Sequence, residues 1–153
     1  MSYNAGEAIA YAHEWAHSRN PRYYNFTGIG GDCTNFISQC LFAGSGTMNY
    51  AGGGWYYRAP SDRAPSWTSV ELLYGFLTRS GNGPGPRGAA VRLGDAAPGD
   101  VIQLSFDGEK FSHSLLVVDR ADGGVLIAAH SDDSDYRPLE TYGFAGLRCL
   151  RIC

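Results

Sequence analysis

Apolar residues recur at helical spacing in three segments of the first half of the chain. In the segments that cover residues 4–19 and 67–79 they fall at every third or fourth position, and Pro21 ends the first of these. A segment that opens at Asp32 carries an unbroken apolar stripe over residues 33–41. We therefore expect three amphipathic helices. The capping boxes expected for the first and third helices are Asn4 with Glu7 and Thr68 with Glu71.

The second half of the chain changes to the short apolar runs that are typical of β-strands. Asp107-Gly108 is a hairpin signal, and residues 80–88, SGNGPGPRG, form a glycine- and proline-rich loop. Helices followed by short antiparallel strands are an α+β pattern, and nothing in residues 1–153 divides the chain, so a single domain is expected. The expected strands are 101–104, 111–118, 125–130 and 147–152.

Composition and charge are those of a globular protein. The chain has 153 residues, of which 44% are hydrophobic and 18% charged, and a formal net charge of −3. A net charge of this sign does not indicate the basic surface that binds nucleic acid or an acidic membrane. No apolar run approaches the roughly 18–20 residues of a membrane span, and the first residues lack the basic start and apolar core of a secretion signal. We expect neither a nucleic-acid partner nor a membrane span, and the oligomeric state is left open.

The spacing of the four cysteines argues against local disulfides. Cys33 and Cys40 lie two helical turns apart, and Cys149 and Cys153 lie four residues apart in an expected strand. At roughly 1.5 Å per helical residue and 3.3 Å per strand residue, both separations exceed the reach of a disulfide. Four reduced thiols are expected, and neither a metal nor an organic cofactor is expected.

Cys33 has the sequence context of a nucleophile. It follows Gly30, Gly31 and Asp32 and falls in the first turn of the second expected helix. There the unpaired amide N–H groups and the helix dipole favour a thiolate, and the same amides are placed to stabilise an oxyanion. Asp32 is the expected N-cap, and its negative charge has to be compensated by capping bonds. The alternative is that Cys33, as the first residue of the apolar stripe, is a buried core residue.

Only four histidines are available as a base for this thiol. His113 lies in an expected strand, a rigid position from which an imidazole can reach a thiol on a helix. His130 ends the next strand and is placed to orient His113 by accepting a hydrogen bond from its other ring nitrogen. A structural role is the alternative for each histidine alone, but together with Cys33 they favour a catalytic triad.

The segment GGDCTNFISQCLFAG resembles the nucleophile helix of an amidase-domain family related to the NlpC/P60 cell-wall endopeptidases of the papain-like superfamily. The resemblance spans nearly the whole chain. The segments that continue it are Trp55-Tyr56-Tyr57, Ser66-Trp67-Thr68, Pro98-Gly99-Asp100-Val101, His113-Ser114 and Ala129-His130-Ser131-Asp132.

This resemblance implies a papain-like α+β fold, in which a helix with the nucleophile packs on a small antiparallel sheet with the base. It also implies thioester-forming cleavage of amide bonds, with peptidoglycan peptides as substrates, and a role in the bacterial envelope or outside the cell. The residues it assigns are Cys33 as nucleophile, His113 as base, His130 as third residue with Asp132 and Asp133 as alternatives, and Tyr23 or Tyr24 at the oxyanion.

Two other functions are left open by the sequence. His13-Glu14-Trp15-Ala16-His17 matches the HExxH motif of zinc proteases, for which Glu71 is the available third ligand. The second is a binding module that grips cell-wall peptide without cleaving it.

The aromatic residues of the central region have two interpretations. They either wall a substrate cleft or form a hydrophobic cluster beneath a long loop. The residues concerned are Trp55, Tyr56, Tyr57 and Trp67, of which Trp55, Tyr56 and Trp67 are the cleft candidates.

Overall fold

The computed structural model describes residues 2–153, and within them it contains three α-helices, all in the first half of the chain. They are α1 (Ala5–Trp15), α2 (Cys33–Ser45) and α3 (Val70–Leu77). All three helices precede the main sheet, as the apolar pattern predicts, but a short hairpin that was not predicted lies between α2 and α3.

Helix α1 starts as predicted and ends earlier than predicted. Asn4 is its N-cap, and the side chain accepts a hydrogen bond from the Glu7 amide at 3.1 Å. The helix ends at Trp15 rather than near residue 19. His130 Nε2 lies 2.8 Å from the Trp15 carbonyl oxygen, so a tertiary hydrogen bond takes up a carbonyl group at this helix end.

The start of α3 differs from the predicted capping box. Pro65–Trp67 forms a 3₁₀ turn, and α3 begins only at Val70. Ser69 is its N-cap and accepts from the Leu72 amide at 3.2 Å. The prediction that Thr68 caps this helix is therefore wrong, because the proline holds the preceding residues in a tighter turn.

The strands of the second half form one antiparallel sheet of six strands, and a separate two-stranded hairpin precedes it. All four predicted strands are present with slightly different bounds. The sheet has the order β3-β8-β4-β5-β6-β7. The strands are β1 (Tyr57–Ala59) and β2 (Asp62–Arg63) in the hairpin, and β3 (Gly88–Val91), β4 (Val101–Ser105), β5 (Phe111–Ala121), β6 (Gly124–Ala129), β7 (Ser134–Pro138) and β8 (Gly146–Ile152) in the sheet.

The sheet separates two hydrophobic clusters. On one face, Leu116 and Val118 of β5 pack in a cluster with the three helices. On the other face, Leu115 and Val117 pack with residues of the neighbouring strands and of the loop after β7. This alternation is that of a strand buried on both faces. No helix in the described part of the chain is long and apolar enough to cross a membrane.

Helix α2 lies in the centre of the helical layer, and its polar side chains are buried as completely as its apolar ones. Ser38 is an example, with no exposed surface. Its hydroxyl donates to the Trp67 carbonyl at 2.9 Å and accepts from Trp55 Nε1 at 3.1 Å. Gln39 accepts from the Tyr11 hydroxyl at 2.5 Å. Each buried polar group of this kind fixes α2 relative to another element.

We expect Ser38→Ala to lower the free energy of unfolding by about 1–3 kcal/mol, because it leaves the buried Trp55 N–H without an acceptor. Chemical denaturation with tryptophan fluorescence measures the change. Ser45→Ala is the matched control on the same helix, since its hydroxyl bonds only to the nearby Thr47, and we expect a change within about 0.5 kcal/mol. Equal effects of the two substitutions would contradict the role given to Ser38.

Candidate active site

Cys33 differs from the other three cysteines in its surroundings. All four are free. Cys40 and Cys149 belong to the two hydrophobic clusters, whereas Cys33 belongs to neither, although it is only 8% exposed. Burial raises the pKa of the Cys40 thiol well above its ordinary value and that of Cys149 to about 11. Cys153 is exposed. Cys33 is thus buried without being part of either cluster.

The N-terminus of α2 has no side-chain cap, in contrast to α1 and α3, which Asn4 and Ser69 cap. Asp32 occupies the N-cap position, but its carboxylate makes no capping bond. The prediction that Asp32 caps this helix is wrong in that respect. As a result, no side chain within residues 2–153 occupies the first-turn amides of α2, which begin at Cys33.

The Asp32 carboxylate is buried and fully engaged with other groups. Oδ1 accepts from the Phe26 amide at 2.8 Å and from Asn35 Nδ2 at 3.0 Å. Oδ2 accepts from His130 Nδ1 at 2.6 Å, and Arg19 Nε lies 3.5 Å away. Burial by itself would raise the pKa of Asp32, but the hydrogen bonds from His130, Asn35 and Phe26 bring it below its ordinary value. The charge expected to oppose a thiolate is therefore compensated, though by these partners instead of capping bonds.

Two residues near Cys33 hold the first turn of α2 against the start of β5 and the end of β6. Thr34 Oγ1 is hydrogen bonded to Ser114 Oγ of β5 at 3.0 Å. Phe36 stacks on His130, next to the end of β6, with ring centroids 3.9 Å apart. Each helical residue turns by about 100°, so the direction of Cys33 falls between those of Thr34 and Phe36.

The loop before Cys33 lies close to the same end of the sheet. Gly31 has a φ of +97°, and a Cβ added to it would lie 3.7 Å from Ser131 Oγ. Ser131 follows His130 directly in the chain. Residues that carry a side chain rarely adopt the positive φ of Gly31, which is why glycine is needed at this position.

His113 lies near the start of β5, adjacent in sequence to the Ser114 that bonds Thr34. Its side chain is 6% exposed, and its ring centroid is 6.2 Å from that of Phe106 and 5.6 Å from that of Tyr142. Among residues 2–153 neither ring nitrogen has a hydrogen-bond partner, and no hydrogen bond joins the ring to the Cys33 sulfur. Because strand side chains alternate, Ser114 faces α2 while His113 starts from the opposite face of β5.

Burial sets the protonation state of His113. It lowers the pKa of the imidazole to about 4, with a further lowering by Arg137 and an opposing contribution from Asp132. At neutral pH the ring is therefore uncharged and can accept a proton.

The three residues considered as the third member occupy different places. His130 is bonded to Asp32 and the Trp15 carbonyl rather than to His113, so its predicted orienting contact is absent from this structure. Asp133 pairs with Arg19 at 2.8 Å. Asp132 pairs with Arg137 at 3.0 Å, and it is the one of the three whose charge acts on the pKa of His113.

The two tyrosines considered for the oxyanion make different contacts. Tyr23 stacks on Trp67 with ring centroids 6.0 Å apart and packs on Tyr57, within the aromatic cluster. The Tyr24 carbonyl accepts from Asn35 Nδ2 at 2.9 Å, and its side chain is 42% exposed. Tyr24 is thereby attached to the first turn of α2.

Trp55 and Trp67 do not wall a cleft in this structure, because both side chains are completely buried. Their rings pack together with centroids 4.7 Å apart, and Trp67 Nε1 donates to Asn35 Oδ1 at 3.0 Å. Tyr56 lies beside Tyr50 and lines a surface cavity of about 390 Å³. The hydrophobic-cluster interpretation applies to the two tryptophans, and Tyr56 is the cleft candidate that reaches the surface.

The HExxH segment does not assemble a metal site. The helix ends at Trp15, before the second histidine, His17. His13 is bonded through Nδ1 to Asp135 at 2.8 Å and through Nε2 to the Tyr136 hydroxyl at 3.0 Å. Glu71 pairs with Arg148 at 3.1 Å. In residues 2–153 no group of three or more His, Cys, Asp or Glu side chains is arranged to hold a metal ion.

Several residues of the site carry no signal in the sequence. Arg19 follows the end of α1 and reaches Asp32 and Asp133 from there. Tyr142 and Arg137 surround His113 from the segments after β6. Thr34 and Ser114 are exceptions, because each directly follows a predicted catalytic residue in the chain and each carries a small hydroxyl side chain.

We expect Asp32→Asn to lower the free energy of unfolding by about 3 kcal/mol, since it leaves buried His130 without its carboxylate partner. Asp133→Asn is the matched control, because Asp133 is partly exposed in its pair with Arg19, and we expect a loss below about 1 kcal/mol. Denaturant titrations at pH 7 compare the two. The assignment would be contradicted by a loss from Asp32→Asn no larger than that from Asp133→Asn.

We expect His113 to make the fold acid-sensitive. Its pKa rises from about 4 when folded to an ordinary value of 6.5 when unfolded, so the unfolded chain binds a proton first as the pH falls. Stability is lost progressively from about pH 6.5 to pH 4, by about 2 kcal/mol between pH 7 and pH 5. His113→Gln should remove this part of the loss in denaturation experiments.

Two neighbouring substitutions test the same prediction in opposite directions. Arg137→Gln should raise the pKa of His113 and Asp132→Asn should lower it, because the two charges act with opposite sign. Titration of the imidazole by NMR measures both. Shifts in the same direction would show that Arg137 and Asp132 do not act through their charges.

Residues 2–148 match the family described as "putative amidase domain". The chain is also 37% identical over 145 residues to the Bacillus subtilis (strain 168) protein named "uncharacterized protein YhbB". That alignment covers 90% of this chain and 44% of YhbB, so the chain spans less than half the length of this relative. No solved structure matches the chain. With nearly its whole length matched, the chain belongs to the "putative amidase domain" family.

Proposed function

We propose that the protein hydrolyses amide bonds with Cys33 as nucleophile and His113 as base. Membership of the amidase family supports amide hydrolysis in general. The observation that supports the cysteine mechanism is the position of Cys33 at the uncapped N-terminus of α2. Thr34, the next residue in the helix, is hydrogen bonded to Ser114, which directly follows His113 in β5. A helix N-terminus favours a thiolate, and a neutral imidazole is ready to accept its proton.

The reaction proceeds in two halves. His113 takes the thiol proton, and the sulfur of Cys33 attacks the carbonyl carbon to give a tetrahedral oxyanion. His113 then protonates the leaving nitrogen, the C–N bond breaks, and a thioester with Cys33 remains. In the second half His113 removes a proton from water, which attacks the thioester, and the acid and the free thiol are released.

The imidazole has to approach the sulfur before the first proton transfer. The two side chains are not hydrogen bonded within the described residues, and catalytic contacts of this kind tighten when substrate binds. Among residues 2–153 no hydrogen bond holds either nitrogen of the His113 ring, so this approach breaks none of its own hydrogen bonds. By contrast, His130 is held by Asp32 and by the Trp15 carbonyl, and it therefore serves to position α2 rather than to act as a base.

The first-turn amides of α2 stabilise the oxyanion. They carry no side-chain cap, so the developing charge meets donors that are already oriented and need not give up another partner. Tyr24 is the better placed of the two tyrosines to add its hydroxyl, because its carbonyl is bonded to Asn35 in the same turn of the helix.

Asp132 is the group we assign as third residue. It acts on His113 through its charge, in balance with Arg137, instead of through a direct hydrogen bond. A carboxylate near the imidazole stabilises the imidazolium that forms during the reaction.

Peptide amides of peptidoglycan are the substrates we propose. The sequence resemblance to NlpC/P60 enzymes supports this proposal. The packing of α2, which carries Cys33, on the antiparallel sheet, which carries His113, is consistent with what that resemblance implies. The surface tyrosine Tyr56 is a candidate contact for the substrate.

We expect limiting iodoacetamide at about pH 6.5 to label Cys33 at least about tenfold faster than the exposed Cys153, because a helix N-terminus and a neighbouring base supply thiolate. Mass spectrometry of digested protein gives the rate at each cysteine. Cys40 and Cys149 serve as internal controls in the same sample, since burial keeps their thiols protonated.

The matched variants are His113→Ala and His17→Ala, which remove a proposed catalytic and an exposed histidine. Only the first should slow the labelling of Cys33, and a chelator should have no effect on either. Release of amine from peptidoglycan peptides should be lost in Cys33→Ala and His113→Ala alike. Amide hydrolysis that survives in Cys33→Ala would overturn the cysteine mechanism.

A further inference from the structure

Phe106 is a large apolar side chain at the surface beside the proposed base. Its side chain is 48% exposed, and its ring lies 6.2 Å from that of His113. It stands in the connection between β4 and β5, immediately after Ser105. A single exposed aromatic needs no explanation by itself. Phe106, however, lies beside a proposed base whose ring nitrogens have no hydrogen-bond partner among residues 2–153, so it is placed to contact the substrate group on which that base acts.

The connection that carries Phe106 is held rigidly. Asp107 Oδ1 accepts from the amides of Glu109 at 2.8 Å and Lys110 at 2.9 Å, and from the Ser105 hydroxyl at 3.1 Å. The Ser105 carbonyl accepts from the Ala145 amide at 2.8 Å. A tip fixed at this many points cannot fold over to bury the ring of Phe106.

The pairing of β4 with β5 is irregular at the same place. Its register shifts between Leu104, which is paired with His113, and Ser105, which is paired with Phe111. Irregularities of this kind turn a strand and redirect the next side chain. Phe106 directly follows the shift.

The ring of His113 is flanked by a second aromatic ring. Tyr142 lies 5.6 Å away and is half-buried, and Arg137 packs over it with Cζ 3.7 Å from the ring centroid. Of the two aromatic neighbours, Phe106 is therefore the one that offers uncovered apolar surface.

We propose that Phe106 binds an apolar substituent on the leaving amine of the substrate, an inference that rests on the proposed function. The imidazole of His113 protonates the leaving nitrogen, so the group attached to that nitrogen lies beside His113 when the C–N bond breaks. The exposed ring of Phe106 is the apolar surface at that position. The site accordingly prefers amides whose nitrogen carries a hydrocarbon or aromatic group over those that release ammonia or a small polar amine.

Two thiol reagents test this preference without a known substrate. Chloroacetamide and N-benzyl-chloroacetamide both transfer their CH₂ carbon to a thiolate with loss of chloride, and they differ only in the group on the amide nitrogen. The ratio of their rates at Cys33, divided by the same ratio at exposed Cys153 in the same sample, reports binding of the benzyl group. An aromatic contact predicts a normalised ratio of about 2 to 10.

We expect Phe106→Ala to bring this normalised ratio close to one, Phe106→Leu to keep part of it, and Tyr136→Ala to leave it unchanged. Tyr136 is an exposed aromatic that stacks on His13 instead of His113. A ratio of one in the unmodified protein, or a ratio that Phe106→Ala leaves intact, would overturn the inference and leave the cysteine mechanism standing. A Cys33 that reacts with neither reagent would overturn the proposed function and this inference with it.

Discussion

The structure of the site depends on the buried hydrogen bond between Asp32 and His130. The 2.6 Å contact joins the residue before α2 to the end of β6 and, through Arg19, to the segment after α1. Removing one partner would strand a charged or polar group away from water, so the pair can hold only if both elements keep their places. It also takes the Asp32 carboxylate away from the helix N-terminus. The uncapped first-turn amides of α2 and the fixed position of this helix relative to the sheet thus have one origin.

Much of the fold follows from patterns that the sequence displays. The glycine pair and the apolar stripe predict that a helix begins near Asp32. Runs of β-branched and aliphatic residues predict four strands of the sheet. Strands β3 and β7 do not, because Gly88–Val91 is built largely from glycine and alanine and Ser134–Pro138 is mostly polar. They become strands because a neighbour in the sheet offers them hydrogen bonds, which is a tertiary effect that local propensity does not contain.

For the proposed site, the sequence points to residue types and not to the contacts between them. The sequence neighbours of Cys33 and His113 mark them as candidates. By contrast, Asp32, the partner of His130, lies 98 positions away in the chain, and neither local sequence indicates the contact. Residue type likewise could not tell whether the tryptophans face a cleft or the core. Trp55 and Trp67 are buried because Ser38 and Asn35 of α2 supply acceptors for their indole N–H groups, and that pairing exists only in the folded chain.

Two polar features of the proposed site lack the hydrogen-bond partners that the other polar groups of α2 have. The polar side chains of α2 are bonded at nearly every position, yet its first turn is left without a cap and His113 is buried without a hydrogen-bond partner among residues 2–153. A cap is worth about 1 kcal/mol, and burying the imidazole makes the fold more sensitive to acid. A sequence selected for stability alone would remove both costs with single substitutions. Their presence together, on either side of the Thr34–Ser114 contact, is what a site for binding a developing negative charge and moving a proton requires.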